Sequence, residues 1–404
     1  MNWLAVENAT TWLPGFPAAH LPSILHKSIR LVYRNGNVGL EVAGVVGAVR
    51  LGNGDTLHIT PKIGSINFLR MLFVCEGIQQ QLQPELADLT ADYELQEEYN
   101  VPKLVAIKFL QEIQRLRTLS LRFERQSKKE QDSFVRGRLR IVPSLLNLKR
   151  GAANAAVFDV LTRNYNTAEN RILAAAAQQA LSYVPFDSTH PLIQNAWYWI
   201  KKFARPRSLV QDIITINGKL QQDKIGGPRG YYGKPLALAK ILLGQAGLAT
   251  GARTDVTGEA VLINTAALFE EYVRTVLAER YAGRGLIVRK GAQQTLPLYT
   301  NGSFRLLPDI CIYASKGLLL LADAKYKVPD AKDHYQLQAY MEAYKATIGV
   351  FFTPAYGEDS FLIQPYTPVA GGKVYEVRLA LNDLEITENF LGHILQELGV
   401  LGGS

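Results

Sequence analysis

Cysteine is almost absent from this sequence. Only Cys75 and Cys311 occur among 404 residues, and both lie inside apolar stretches. A disulfide framework needs several paired cysteines, and a structural zinc site needs a set of cysteine and histidine ligands at short spacing. We therefore expect neither a disulfide framework nor a cysteine-based zinc site, and we expect the two cysteines to be core residues.

Long apolar runs are also missing. The run at residues 317–322 is far shorter than the roughly 20 residues that a membrane helix needs. The first residues, MNWLAVENATTW, do not show the basic segment and apolar core of a secretory signal. We expect a cytoplasmic protein that is not inserted in a membrane.

The sequence contains no phosphate-binding loop. The glycines at residues 226–234 come nearest to one, but a P-loop needs Gly, four residues and then Gly-Lys-Ser/Thr. Here Gly233-Lys234 is followed by Pro235, and Pro228 stands where the first glycine is required. The sequence therefore predicts that this chain binds and hydrolyses no nucleotide by itself.

Acidic residues are outnumbered by basic ones, 36 against 44, which gives a net charge of +8. The cations concentrate in one run, whose members are Lys103, Lys108, Arg115, Arg117, Arg122, Arg125, Lys128, Lys129, Arg136, Arg138, Arg140, Lys149 and Arg150. A solvated helix face is the ordinary explanation of such a run. Binding to nucleic acid or to an acidic protein surface is the alternative, and the sequence leaves both open.

The length predicts two or three domains, and the mixture of strands and helices predicted along the chain indicates an α/β multi-domain protein. Residues 1–90 are predicted to be β-rich, because hairpins are indicated at residues 29–42, around Asn35-Gly36, and at residues 48–60. Residues 91–254 are predicted to be a basic, mainly helical middle with one basic strand at residues 134–141. The helices predicted up to this point cover residues 66–78, 102–116, 168–184, 192–203 and 235–245.

Residues 255–404 are predicted to form an α/β domain. A helix is expected over residues 260–280, with Glu270 and Glu271 in its middle. The remaining expected elements are strands at residues 285–289, 310–313, 318–322 and 348–353 and helices at residues 332–345 and 388–398. An order of helix, three strands, helix and strand is typical of a mixed central sheet.

Charged residues collect at strand ends in residues 306–340. Pro308-Asp309 precedes one predicted strand, and Asp323-Ala324-Lys325 follows the next, with only Ala-Ser-Lys-Gly between the two strands. These strands are therefore expected to pair through a tight turn. Residues two apart on a strand point to the same face, so Asp323 and Lys325 should converge while Ala324 faces away.

Two carboxylates on neighbouring strands are the type of ligand that Mg²⁺ prefers. Asp309 and Asp323 would bind the ion, with the carbonyl of Ala324 as an added ligand and Mn²⁺ as the alternative metal. Beside such an ion, Lys325 would orient or deprotonate the attacking water and stabilise the anionic transition state. The reaction expected from this chemistry is phosphodiester hydrolysis.

Acids at strand ends are often ordinary turn residues, so Asp309 alone would prove little. Gln336 and Tyr340 add to the pattern because they lie one helical turn apart and face the same way. Their amide and phenol can hold Lys325 or a DNA phosphate. Together with an upstream helical glutamate, the pattern favours a catalytic site over turn residues.

These motifs resemble the PD-(D/E)xK nuclease superfamily and, within it, the McrC family, the nuclease subunit of McrBC-type modification-dependent restriction systems. The site motifs are Leu-Pro-Asp309, Ala-Asp323-Ala-Lys325-Tyr-Lys and Gln336-Leu-Gln-Ala-Tyr340. The resemblance extends to residues 47–63, to Arg136-Gly-Arg-Leu, to Asn170-Arg-Ile-Leu and to Leu268-Phe-Glu270-Glu-Tyr. It therefore covers nearly the whole chain.

The resemblance implies that residues 255–404 form a PD-(D/E)xK domain, a Mg²⁺-dependent DNA endonuclease. The catalytic residues that it implies are Asp309, Asp323, Lys325, Glu270, Gln336 and Tyr340. Its metal ligands would be Asp309, Asp323, Glu270 and the carbonyl of Ala324. Glu271 adjoins Glu270, and the sequence leaves open which of the two faces the metal.

The resemblance also implies a partner. In that family the N-terminal region docks into a ring of an AAA+ GTPase, McrB, and stimulates its hydrolysis; the partner recognises modified DNA, and translocation triggers cutting. Residues 1–90 would then bind the partner through the hairpins at Gly36 and Gly52, although an ordinary β-domain edge explains these hairpins equally well. The substrate would be double-stranded DNA, with modified cytosine as the candidate base.

Two other functions stay open at this stage. The large portion outside the predicted nuclease, residues 1–255, would suit a non-catalytic activator of the partner GTPase. A stand-alone structure-specific or repair nuclease is the third hypothesis, and DNA cleavage without any nucleotide would favour it.

Overall fold

The computed structural model describes most of the chain, in thirteen stretches. These are residues 1–22, 25, 28–75, 101–152, 154–184, 188–203, 208–221, 227–243, 260–291, 295–315, 317–357, 359–369 and 371–401. The chain divides into two compact units, one made of Met1–Leu104 with Leu243–Ser404 and the other of Val105–Leu242. The predicted borders at residues 90/91 and 254/255 lie outside the described residues, so the three-part division stays a prediction.

The N-terminal segment of the first unit is β-rich, as predicted. Its elements are β1 (Asn2–Val6), β2 (Thr10–Leu13), β3 (Ile29–Arg34), β4 (Asn37–Val42), β5 (Val45–Arg50), β6 (Thr56–Thr60) and α1 (Ser65–Cys75). Strand β3 pairs antiparallel with β4, and β5 with β6, so both predicted hairpins are confirmed. Asn35 and Gly36 have φ of +50° and +78°, as a two-residue hairpin turn of this type requires. Residues 76–78 of the predicted first helix lie outside the described residues.

The second unit contains both helices and a sheet. Its elements, with one helix that begins just before it, are α2 (Val101–Thr118), β7 (Glu124–Asp132), β8 (Arg138–Leu139), α3 (Ile141–Lys149), β9 (Ala156–Asn164), α4 (Ala168–Ala180), α5 (Pro191–Lys202), α6 (Leu209–Gln221) and α7 (Gly233–Leu242). Strand β9 lies between β7 and β8 in an antiparallel sheet. Residues 244–245 of the helix predicted at 235–245 lie outside the described residues.

The basic strand predicted at residues 134–141 is wrong for most of its length. Only Arg138 and Leu139 pair with β9, and a helix begins at Ile141, with Pro143 in its first turn, where proline is tolerated. The basic run from Lys103 to Arg150 is therefore spread over α2, β7, β8 and α3. The clustering of basic residues in this run is therefore not explained by one solvated helix face.

The C-terminal segment of the first unit carries a six-stranded mixed sheet. Its elements are β10 (Ala260–Asn264), α8 (Thr265–Tyr281), β11 (Ile287–Arg289), β12 (Leu296–Pro297), β13 (Arg305–Leu306), β14 (Ile310–Ala314), β15 (Gly317–Ala324), α9 (Ala331–Tyr344), β16 (Ile348–Ala355), β17 (Ile363–Tyr366), β18 (Lys373–Ala380) and α10 (Leu384–Glu397). The strand order is β11-β14-β15-β16-β18-β17, with β15, β16 and β18 mutually parallel. The predicted mixed sheet is confirmed. Within the described residues, none of the helices combines the length and the apolar character needed to cross a membrane.

The helix predicted to begin at residue 260 begins later. Residues Ala260–Asn264 form β10, which pairs antiparallel with β5 of the N-terminal segment. Asn264 then caps α8, because its side chain accepts the backbone N–H of Ala267 at 2.9 Å. The apolar residues of this stretch fit a strand as well as a helix, and the pairing with β5, more than 200 residues away in sequence, decides the outcome.

Glu7 joins the N-terminal and C-terminal segments of the first unit. Its carboxyl is fully buried and accepts a hydrogen bond from the hydroxyl of Thr265, the first residue of α8. Burial raises the pKa of Glu7 to about 7, against the opposing effect of this hydrogen bond. At the other end of the junction, Arg70 of α1 forms two hydrogen bonds of 3.2 and 3.1 Å with Glu388 of α10.

The raised pKa of Glu7 predicts a pH-dependent stability. Between about pH 4.5 and 7 the native chain keeps a proton that the unfolded chain has lost, so stability falls as the pH rises through this window. Substituting Glu7→Gln removes the ionisation and keeps the shape. The variant should match the wild type near pH 4 and exceed it by about 3 kcal/mol at pH 8, measured by urea unfolding. Parallel pH profiles of the two proteins would contradict this account.

Candidate active site at the ends of strands β14 and β15

Strand register brings the two candidate carboxylates together. Strands β14 and β15 pair antiparallel, with Ile310 opposite Ala322. One step further along the same register, Asp309 stands opposite Asp323. Opposite residues share a face of the sheet, so both carboxylates point to the same side. Asp323 is 2% exposed and Asp309 is half-buried.

Backbone hydrogen bonds fix the orientation of the motif. The N–H of Ala324 donates to Asp309 Oδ2 at 3.0 Å, while the N–H of Lys325 donates to Phe352 of β16 at 2.9 Å. In a strand, the N–H and C=O of one residue point to the same side. The carbonyl of Ala324 therefore lies on the edge that faces Asp309, where the predicted additional ligand would have to be.

Ionising both aspartates at once is energetically unfavourable. Burial, then the charge of Asp323 and a hydrogen bond shared with it, raise the pKa of Asp309 to about 9, and the charge of Glu270 adds to the rise. Without a compensating cation, Asp309 is thus protonated at neutral pH. A divalent cation between the carboxylates would relieve the same repulsion that the proton now relieves.

Lys325 lies at the centre of the polar cluster. Its Nζ is 2.6 Å from Asp323 Oδ2 in an ion pair, donates to Gln336 Oε1 at 3.2 Å and lies 3.6 Å from Asp333 Oδ1. Burial lowers the pKa of Lys325, but the charges of Asp323, Asp309 and Asp333 outweigh it and raise the pKa above its usual value. Lys325 is accordingly an ammonium ion at neutral pH.

Gln336 and Tyr340 meet this cluster from α9. The Nε2 of Gln336 donates to the hydroxyl of Tyr340 at 2.8 Å, and its Oε1 accepts from Lys325. Burial, together with the charges of Asp323 and Asp309, raises the pKa of Tyr340. Gln336 thus contacts the lysine, while Tyr340 contacts Gln336; a catalytic role for either residue stays a prediction.

Of the two neighbouring glutamates, Glu270 is the one whose charge acts on the pKa of Asp309. Its charge contributes to the raised pKa of Asp309, whereas Glu271 forms an ion pair with Arg274 on the same helix. The carboxylate of Glu270 is itself held in an ion pair by Lys290. Across the described residues, no three His, Cys, Asp or Glu side chains come close enough together to hold a metal. Glu270 is therefore not brought into contact with both aspartates.

Gly291 supports the site from behind. Its N–H donates to the carbonyl of Pro308 at 2.9 Å, directly before Asp309. A Cβ atom at Gly291 would stand 2.4 Å from that oxygen and 2.5 Å from the Pro308 ring. Only glycine allows this close approach, so Gly291 fixes the position from which Asp309 enters the site.

A protein-family model matches most of this chain. The model described as McrBC 5-methylcytosine restriction system component matches residues 40–352, which is more than half of the chain. The chain belongs to this McrBC family. The family resemblance drawn from the sequence motifs is thus confirmed. A comparison with curated proteins gives no match.

Two solved structures of McrBC assemblies are similar to this chain. One is the refined half-complex from a tetradecameric assembly of Thermococcus gammatolerans McrB AAA+ hexamers with bound McrC. It matches with 14% identity and a TM-score of 0.66, over 98% of this chain and 100% of the other. A cryo-EM structure of the Thermococcus gammatolerans McrBC complex matches with 16% identity and a TM-score of 0.49, over 69% and 88%. The first likeness shows the mixed α/β fold; the low identity carries nothing about individual residues.

Sequence reasoning missed two side chains of this McrBC-family site. Asp333 contacts Lys325 and lies in the first turn of α9, where Asp330 and Asp333 form a capping box. The Asp-x-x-Asp spacing before an apolar helix was a readable signal. Lys290, the partner of Glu270, directly follows β11, and no local pattern distinguishes it from a surface lysine.

The close packing of Gly291 predicts that a single methyl group disturbs the site. Gly291→Ala should destabilise the chain by about 1–3 kcal/mol, because Pro308 must move. Gly357→Ala is the matched control, since nothing lies within 4 Å of its Cβ position, and it should change stability by less than about 0.5 kcal/mol. Urea unfolding of both variants measures the difference. Equal stabilities would show that Gly291 does not constrain Pro308.

Proposed function

We propose that this chain is a metal-dependent DNA endonuclease subunit of a McrBC-type restriction system. The observation that carries the proposal is the constellation of Asp309, Asp323 and Lys325 at two paired strand ends, in a chain of the McrBC family. Such systems act against foreign DNA, including that of phages. The fold of the site, two acids and a lysine on a mixed sheet, is also what a PD-(D/E)xK domain requires.

The residues fit a divalent cation such as Mg²⁺ or Mn²⁺. Asp309 and Asp323 supply carboxylate oxygens, the carbonyl of Ala324 lies on the same edge, and Glu270 is a further acid whose charge acts on Asp309. Asp323 Oδ2 is buried and lies 2.6 Å from the ammonium of Lys325; a carboxylate oxygen has a further lone pair with which it could bind the ion. When bound, the ion would supply Lewis acidity at the phosphate oxygens and lower the pKa of water.

The protein side chains have separate parts in the hydrolysis. Water adds to phosphorus and one phosphorus–oxygen ester bond breaks; the attacking water gives up a proton and the leaving oxygen takes one up. The ammonium of Lys325 stabilises the charge that builds on the phosphate oxygens, which is a preorganised electrostatic effect. Gln336 holds that ammonium in place, and Tyr340 in turn holds Gln336 through their 2.8 Å hydrogen bond.

The proposed partner is an AAA+ GTPase of the McrB type. The similar Thermococcus structure has McrC bound to McrB AAA+ hexamers, and the present sequence has no P-loop of its own. Nucleotide hydrolysis would then be the task of the ring, and cutting the task of this chain. The proposed substrate is double-stranded DNA, with modified cytosine as the candidate base.

Removing a side chain of the constellation should abolish cleavage and leave the partner's activity intact. Asp323→Asn and Lys325→Met should each reduce DNA cleavage by at least about 10²-fold, measured with the reconstituted partner, GTP and Mg²⁺. Stimulation of the partner's GTPase should persist in both variants. Lys373→Met, at an exposed lysine of β18, is the charge-matched control and should cut normally.

The same assay separates the competing functions. Undiminished cutting by Asp323→Asn would disprove the proposed site. Stimulation of the GTPase by a wild-type chain that cuts under no metal would favour the non-catalytic activator. Cutting by the purified chain alone, without partner or GTP, would favour a stand-alone nuclease.

Metal binding should depend on the two aspartates. Asp309→Ala and Asp323→Ala should each weaken Mn²⁺ binding by more than about tenfold in calorimetric titration. Glu270→Gln should weaken it as well, whereas Glu271→Gln should not, because only Glu270 is coupled to Asp309. Asp359→Asn is the control, since its side chain is 74% exposed. Unchanged binding in both alanine variants would place the metal elsewhere.

A further inference from the structure

A small hairpin directly precedes the candidate active site. Strands β12 and β13 pair with Leu296 opposite Leu306, and the tip between them is closed by hydrogen bonds from Gly302 N–H to Tyr299 and from Leu298 N–H to Phe304. We call residues 295–307 the aromatic hairpin.

The tip of the aromatic hairpin exposes two aromatic rings. Tyr299 is 55% exposed and Phe304 is 75% exposed. Their ring centroids lie 5.9 Å apart in an edge-to-face arrangement. Phe304 has φ of +55°, a left-handed conformation that is unfavourable for a bulky residue. The contact with Tyr299 still leaves 75% of Phe304 exposed, and an unfavourable backbone that exposes an aromatic ring in this way points to a partner outside the fold.

The base of the hairpin is held firmly, in contrast to its tip. The hydroxyl of Tyr344 accepts the N–H of Leu296 and donates to the carbonyl of Leu306, both at 3.2 Å, and thus joins the two strands to α9. Leu306 is buried in the same apolar cluster as Tyr340. The two rings therefore project from a hairpin whose base is anchored to α9, the helix that also carries Gln336.

Chain length limits how far the tip can be from the cutting site. Phe304 precedes Asp309 by five residues, and five residues span at most roughly 18 Å. One turn of duplex DNA is about 34–36 Å long. The hairpin tip therefore lies within about half a helical turn of a phosphate held at Asp309 and Asp323.

The composition of the hairpin suits a polyanion. Residues 295–307 contain Arg305 and no acidic residue. Aromatic rings stack on bases of any sequence, and apolar wedges enter base steps and kink the duplex. Its position beside the phosphate-cutting residues favours nucleic acid over a second protein as the occupant of the tip.

We propose that the aromatic hairpin is a DNA-contacting element that stacks Phe304 and Tyr299 against bases next to the scissile phosphate. The inference rests on the proposed endonuclease function, and it adds a binding element for the same substrate. The hairpin binds and distorts the DNA next to the scissile phosphate, while Asp309, Asp323 and Lys325 perform the hydrolysis.

The test measures DNA binding apart from cutting. The full chain carrying Asp323→Asn binds a duplex containing 2-aminopurine, and both affinity and base unstacking are followed by fluorescence. Adding Phe304→Leu or Tyr299→Leu should weaken binding about tenfold and suppress the unstacking signal, because leucine keeps apolar bulk but cannot stack. Phe304→Trp should retain both. Ile386→Ala, at an exposed apolar residue of α10, should change neither.

Two further measurements keep the outcome clear. Phe304→Asn suits the left-handed backbone, so its unfolding temperature should equal or exceed that of the parent while its DNA binding falls. Unchanged affinity and unstacking in Phe304→Leu would overturn the proposal, and so would a loss confined to binding of the AAA+ partner. If wild type never cuts but the leucine variants lose affinity, the endonuclease function fails and the DNA-contacting hairpin stands.

Discussion

The repulsion between Asp309 and Asp323 is the constraint on which the site depends. The register of β14 and β15 places the two carboxylates opposite each other, and burial removes most of the water that would screen them. Such a pair is stable only with a proton or a cation between its members. The raised pKa of Asp309 therefore marks the position where a positive charge is required. The ammonium of Lys325, 2.6 Å from Asp323 Oδ2, supplies part of this positive charge.

Much of the surrounding fold serves to hold this pair in place. Gly291 fixes Pro308 from behind, and α9 supplies the side chains that hold Lys325. The N-terminal segment takes part as well: burial and the charge of Glu7 raise the pKa of Tyr326, the residue directly after Lys325. The ring of Tyr326 in turn lies 5.6 Å from that of Phe269, next to Glu270 on α8. The residue next to Lys325 thus interacts with both segments of the first unit.

The site was more readable from the sequence than the fold around it, and the reason is the range of the interactions involved. Strands β14 and β15 are neighbours in sequence, so alternation and a short turn predict their pairing and the meeting of their acids. The pairing of β10 with β5 joins distant segments, and no local pattern in residues 260–264 distinguishes strand from helix. Lys290 escaped notice for the same reason, because its importance comes only from Glu270 on another element.

The central claim is that Asp309 and Asp323 together bind a divalent cation. Anomalous diffraction from crystals of this chain grown with Mn²⁺ tests it most directly. The account predicts a strong anomalous peak within about 2.0–2.6 Å of an oxygen of each carboxylate, on the edge that carries the carbonyl of Ala324. Ordered carboxylates with no peak between them, in crystals where Mn²⁺ is bound elsewhere, would contradict it.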